Sequence, residues 1–155
     1  MNRNTEGQVK EIRMFPIGYI RSPYQKGQAV PAQGDLRDGQ TARIFLLPQY
    51  KEGIADLKAG DYGVILFHFH YAEQKGLTVF SCKFQRPMGV FSTRSPHRPN
   101  AIGMTIVQFI RIVGCELEFR GGDMLDGTPV LDIKPWEPGG FPPAKDLNND
   151  EKGSN

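Results

Sequence analysis

Asp61-Tyr-Gly-Val-Ile-Leu-Phe-His-Phe-His70 decides the fold class of this chain. β-Branched and aromatic side chains dominate it, and apolar residues fall on both faces, as in a strand buried at the centre of a sheet. Working upstream, residues 41–47 read as a strand closed by Pro48, residues 15–20 as an earlier one, and residues 49–57 as a short helix stopped near Gly60. Downstream, residues 78–82 and 89–91 are expected to flank a turn at Pro87-Met88-Gly89. Residues 105–113 form a further apolar run, which Gly114 separates from the strictly alternating Cys115-Glu-Leu-Glu-Phe119. The dipeptide Asp126-Gly127 signals a turn before a last strand over 130–133. Roughly seven strands with few short helices are best satisfied by a small mixed β-barrel, closed or nearly closed, because closure removes exposed edges.

The bulk numbers agree. A chain of 155 residues, 39% hydrophobic and 23% charged, is one globular domain, and 18 glycines with 12 prolines favour turns over long helices. The domain is expected over residues 14–138, between a flexible N-terminal extension (1–13) and a flexible C-terminal tail (139–155). No apolar run approaches a membrane span and no secretory signal opens the chain, so a cytoplasmic protein is expected. Cys82 and Cys115 have no C-x-x-C partner and give neither a zinc signature nor a disulfide framework. The net charge of +2 is small but uneven: from Lys83 to Arg120 the cations are Lys83, Arg86, Arg94, Arg98, Arg111 and Arg120, and the acids only Glu116 and Glu118. Such a bias suits an anionic partner.

The densest chemistry lies in Phe91-Ser-Thr-Arg-Ser-Pro-His-Arg-Pro-Asn-Ala-Ile-Gly-Met104. Pro96 and Pro99 stiffen the segment, so its polar groups have little freedom left to lose, and Arg94 and Arg98 can each fork onto a carboxylate or phosphate. His68 and His70 share a strand face; with no third ligand nearby in sequence they read as a cofactor wall rather than a metal pair. No glycine-rich G-x-G-x-x-G opens a helix, which disfavours a dinucleotide-type domain.

Ile17-Gly-Tyr-Ile-Arg-Ser-Pro-Tyr24, Ala29-Val-Pro-Ala-Gln33, Phe67-His-Phe-His70, Gly89 to Met104 and Leu125-Asp-Gly-Thr-Pro-Val-Leu-Asp-Ile-Lys-Pro-Trp136, taken in order, resemble the TsaA-like β-barrel tRNA methyltransferases. The resemblance implies a barrel that binds S-adenosylmethionine, works as a homodimer with its site near the subunit interface, and methylates N6 of threonylcarbamoyladenosine at position 37 of tRNA. It assigns cofactor contact to Ala32, Gln33, His70, Tyr71, Arg94, Met104, Asp123, Met124 and Leu125. Methyl transfer from a sulfonium needs alignment and shielding from water, and no metal. Arg98 is expected to hold the substrate's carboxylate, with Arg21 and Lys134 as lesser candidates, and Tyr24 or His97 to take up or relay the N6 proton. Many relatives have arginine where Ala32 stands and proline where Ala101 stands, the latter expected only to soften the turn. Bacterial relatives often carry a further C-terminal domain beyond the match to Trp136, so RNA contacts made by it are expected to be absent or made otherwise. A methyltransferase with another acceptor and a non-catalytic barrel binding the cofactor or RNA are the alternatives.

Overall fold

The computed structural model describes residues 11–31, 34–37 and 40–137. Ala32 and Gln33, the expected tail, and the expected N-terminal extension apart from residues 11–13 lie outside this range. Eight strands are present among the described residues: β1 (Gly18–Arg21), β2 (Thr41–Leu46), β3 (Tyr62–His68), β4 (Thr78–Ser81), β5 (Arg86–Gly89), β6 (Ile102–Val113), β7 (Glu116–Arg120) and β8 (Pro129–Pro135). Six of them follow one another around a barrel in the order β1-β2-β7-β6-β3-β8, while β4 and β5 form a separate hairpin. The ring returns from β8 to β1 by a narrow seam, Gly18 opposite Val130 and Tyr19 opposite Pro129.

Every ladder among the described residues is antiparallel, so the barrel is not mixed as the sequence suggested. The described residues supply no long helical crossover of the kind that joins parallel neighbours. The expected helix over 49–57 is instead a 3-10 segment, Pro48–Ile54. Ile54 is its one buried residue, too little apolar face to support an α-helix. The turn placed at Pro87-Met88-Gly89 lies earlier, at Cys82-Lys83-Phe84-Gln85, where Gln85 takes the left-handed φ of 53°. Pro87 sits inside β5, tolerated because the hairpin has a free edge. Residues 90 and 91, expected to belong to a strand, lie instead in a short 3-10 segment, Val90–Ser92.

Period-two alternation builds the core. On β2, Ala42, Ile44 and Leu46 point inward while Thr41, Arg43 and Phe45 point outward. On β6, Thr105, Val107 and Phe109 do the same, meeting Ile65 and Phe67 of β3, Leu117 and Phe119 of β7, and Val130 of β8. Phe109 and Phe119 are fully buried, and truncating either to alanine costs about 3–5 kcal/mol. Register shifts at Leu66/Phe67 and Phe109/Arg111 bend the strands where so small a ring must curve. At Gly103 a Cβ would stand 2.4 Å from the Phe67 ring, so only glycine lets β6 pass this close to β3. No helix among the described residues is long and apolar enough to cross a membrane.

Candidate active-site cavity

A cavity of about 660 Å³ opens where the end of β3, the start of β6, the segment before it and the segment leading into β8 meet. That volume suits a ligand of nucleoside size. Stretches of sequence far apart in the chain converge here. His70 and Tyr71 come from the chain just past β3, Arg94, His97 and Arg98 from the proline-stiffened loop, Met104 from β6, and Asp123, Met124 and Leu125 from the approach to β8. All these expected site residues line the one cavity. Val30 and Pro31, which precede Ala32 and Gln33, also line it.

Asp123 is its most unusual group. Its Oδ2 accepts a hydrogen bond from the Gly34 amide at 3.0 Å, whereas its Oδ1 is buried with no hydrogen-bond partner among the described residues. Burial pushes the carboxyl above the usual carboxylate range, against the opposing effects of the Gly34 amide, its own amide, the Thr105 hydroxyl and the Arg94 charge. A buried acceptor left empty costs stability unless something donates to it, so this oxygen suits a ligand that brings a donor or a positive charge. The carboxylate is held by close backbone packing: a Cβ at Gly34 would collide with the Gly121 carbonyl.

The facing loop is braced by its own side chains. Thr93 Oγ1 donates to the Val90 carbonyl at 2.9 Å and accepts from the Ser95 amide at 3.2 Å, and Ser95 Oγ accepts from the His97 amide at 3.3 Å. Arg98 Nη1 donates to the Thr93 carbonyl at 2.8 Å, so part of its guanidinium holds the loop while the remaining donors stay available. Arg94 Nη1 reaches the Met104 carbonyl at 3.2 Å. His97 Nδ1 lies 2.8 Å from the Glu73 carbonyl and 3.2 Å from the Glu73 amide. The shorter contact favours the tautomer in which Nδ1 donates, leaving Nε2 with a lone pair.

Ala101 does more than soften the turn. It adopts a φ of 46°, its amide donates to the Arg98 carbonyl at 3.1 Å, and its carbonyl accepts from the Phe69 amide at 2.8 Å. A proline ring fixes a negative φ and removes the amide, so proline is incompatible with this backbone.

On the other side, burial lowers the His70 pKa, helped by the His68 and Lys26 charges and opposed by a hydrogen bond the ring donates to the His68 backbone; the net shift favours the neutral imidazole. Its ring packs on Tyr71 with centroids 4.0 Å apart, and Lys26 Nζ lies 4.5 Å over the Tyr71 ring.

Three candidates lie away from the cavity lining. Tyr24 is joined to the Asp126 turn by its backbone, its carbonyl accepting from the Asp126 amide at 2.7 Å. Arg21 is paired with Asp126 at 3.1 Å and Lys134 with Asp132 at 2.6 Å. Sequence reasoning missed Phe69, Phe91, Ile102 and Thr128, which also line the cavity. Phe69 alternates away from the two histidines in sequence, but β3 ends at His68, so strand alternation no longer governs it.

The pattern of the tRNA-methyltransferase O N-terminal domain matches residues 19–139. A protein of Pyrococcus abyssi named a probable S-adenosyl-L-methionine-binding protein is 39% identical over 123 residues, covering 79% of this chain and 67% of its own. A mouse protein named tRNA (adenine(37)-N6)-methyltransferase is 38% identical over 133 residues, covering 78% of this chain and 30% of its own. The crystal structure of TrmO from Pseudomonas aeruginosa superposes with a TM-score of 0.73 at 35% identity, covering 90% of this chain and 61% of that one. The chain therefore spans less than two thirds of the length of the mouse protein and of the solved TrmO chain.

Proposed function

The chain belongs to the tRNA-methyltransferase O N-terminal domain family, and from that premise we propose that it methylates N6 of threonylcarbamoyladenosine at position 37 of tRNA, with S-adenosylmethionine as methyl donor. The observation that carries this reading is the buried Asp123 Oδ1, without a hydrogen-bond partner among the described residues, in a cavity that also presents arginine side chains. One wall suits a cationic nucleoside, the other an anionic acceptor.

When bound, S-adenosylmethionine supplies a methyl group on a sulfonium, ready for in-line displacement. Asp123 would accept hydrogen bonds from that ligand and offset its positive charge. Phe67, Phe69, Met104 and Met124 provide an apolar seat that excludes water. His70, kept neutral, adds polarity without repelling a cation. Arg94, beside Asp123 and Met104, would stay with the methyl donor, while the donors Arg98 has left would hold the carboxylate of the threonylcarbamoyl group, which also discriminates against unmodified adenosine, since this cation would then stay unpaired. His97 Nε2 is the better placed of the two proton acceptors considered, because His97 lines the cavity and Tyr24 does not.

A homodimer and a cytoplasmic site of action belong to the same proposal; sedimentation of the purified protein tests the first. The decisive experiment incubates the protein with labelled S-adenosylmethionine and two matched tRNAs, one carrying threonylcarbamoyladenosine and one lacking it, and analyses the nucleosides by mass. Methylation confined to the modified tRNA is expected. Binding of the donor with no transfer to either tRNA would move the search to another acceptor or to a non-catalytic role.

A further inference from the structure

The β4–β5 hairpin stands apart from the barrel. It shares no ladder with the six barrel strands, and none of its strand residues is buried. Phe80 is 61% exposed and Phe84, in the turn, 54%. At the base, where the Val90 amide donates to the Leu77 carbonyl at 2.9 Å, Leu77 is 59% exposed and Phe91 72%. Phe91 also lines the cavity, so exposed apolar residues occur at the site, at the base of the arm and on the arm itself. An isolated two-stranded hairpin is marginal in water, and exposed aromatics gathered on one mark a contact with something else.

Charge identifies the partner. No acidic residue occurs between Glu73 and Glu116, a stretch that includes the hairpin, the braced loop and all of β6. Lys83 and Arg86 lie on the hairpin itself, and Lys83 Nζ sits 5.2 Å over the Phe84 ring. Two such hairpins packed on each other would set like charges together. Exposed aromatics interleaved with cations and free of carboxylates are the chemistry that single-stranded RNA requires, rings for its bases and cations for its phosphates.

We propose that the β4–β5 hairpin is an RNA-docking arm that holds the single-stranded loop of the substrate beside the cavity. Phe80 and Phe84 stack on unpaired bases, and Lys83 and Arg86 pair with phosphates. The proposal rests on reading the chain as a tRNA methyltransferase, and its test separates the two.

The full chain and two double variants, F80A/F84A and K83A/R86A, are titrated with a synthetic anticodon stem-loop carrying threonylcarbamoyladenosine across a salt series, with K51A/K58A as a control on a remote surface. Both hairpin variants are expected to lose affinity by at least about tenfold, since each stacked base is worth roughly 1–3 kcal/mol. K83A/R86A is also expected to lower the slope of log affinity against log salt by about 1.4, the share of two single-strand phosphates. Donor affinity and the circular dichroism spectrum stay at the parent's values, and K51A/K58A binds RNA as the parent does. Unchanged RNA affinity and salt slope in both hairpin variants overturn the proposal. So does a dimer that dissociates in F80A/F84A while RNA affinity per protomer is kept, which would make the arm a subunit contact. Hairpin-dependent RNA binding without methyl transfer would leave the arm standing and remove the catalytic reading. Methyl transfer with the parent's KM for RNA in the variants would do the reverse.

Discussion

The two walls of the cavity are built by opposite means. The Asp123 to Thr128 wall is tied into the barrel by backbone: Gly127 donates to the Ile20 carbonyl at 2.8 Å, Ile20 to the Thr128 carbonyl at 2.9 Å, and Thr128 to the Leu125 carbonyl at 3.2 Å. The Val90 to Arg98 wall is tied chiefly to itself, by threonine, serine and arginine side chains bonding its own backbone. The first carries two carboxylates, Asp123 buried and Asp126 paired with Arg21; the second carries two guanidiniums, Arg94 exposed and Arg98 half-buried. A wall fixed by the fold suits a ligand of constant shape, and a self-braced loop suits a partner that arrives and departs every turnover.

Breaking the first wall should have the largest effect. Asp123→Ala is expected to weaken donor binding by about a hundredfold, the scale of hydrogen bonds to a charged group, as read by calorimetric titration. The same carboxylate fixes the pH response. Because burial raises its pKa in the folded chain, its contribution to stability is full below the unfolded value and is lost as pH rises through the raised one. Asp123→Asn should therefore stabilise the ligand-free protein near pH 7 and lose that advantage in acid, while donor affinity of the parent falls as acid protonates the group; thermal unfolding and titration across pH check both. Next, Gly103→Ala should cost about 1–3 kcal/mol in urea unfolding, because the new methyl must displace the Phe67 ring.

The second wall gives smaller effects confined to the acceptor. Arg98→Ala is expected to raise KM for the modified tRNA about tenfold with donor affinity unchanged, through lost substrate contact and a loosened loop. Thr93→Ala, which removes only a brace, should cost about 0.5–1.5 kcal/mol of stability. An Arg98→Ala protein that loses donor binding as strongly as Asp123→Ala would erase the distinction between the walls.

Much of the barrel is legible in the sequence because burial on one face imposes a period of two, as in Ala42, Ile44 and Leu46. The hairpin turn was not, since a left-handed glutamine, Gln85, reverses the chain where the eye looks for glycine. Nor was the backbone of Ala101, whose φ of 46° is set by contacts to Arg98 and Phe69 rather than by residue type. The gathering of His70, Arg94, Met104 and Asp123 into one cavity followed the family resemblance, but the residues alone could not show that Asp123 Oδ1 is buried with no partner among the described residues or that Tyr24 is absent from the cavity lining. Those depend on packing between segments far apart in the chain. Phe91 and Phe69 were equally hidden, since both lie outside regular strands.

The narrow seam between β1 and β8 has a consequence for dynamics. A stave held by so few pairs is where the barrel opens first, and the Asp123 to Thr128 wall hangs from that stave. A ligand seated on this wall binds the shut ring and not the sprung one, so it acts as a hoop around the whole barrel. Hydrogen exchange at the Ile20 and Gly127 amides should slow when the donor binds, although neither amide is needed to touch it.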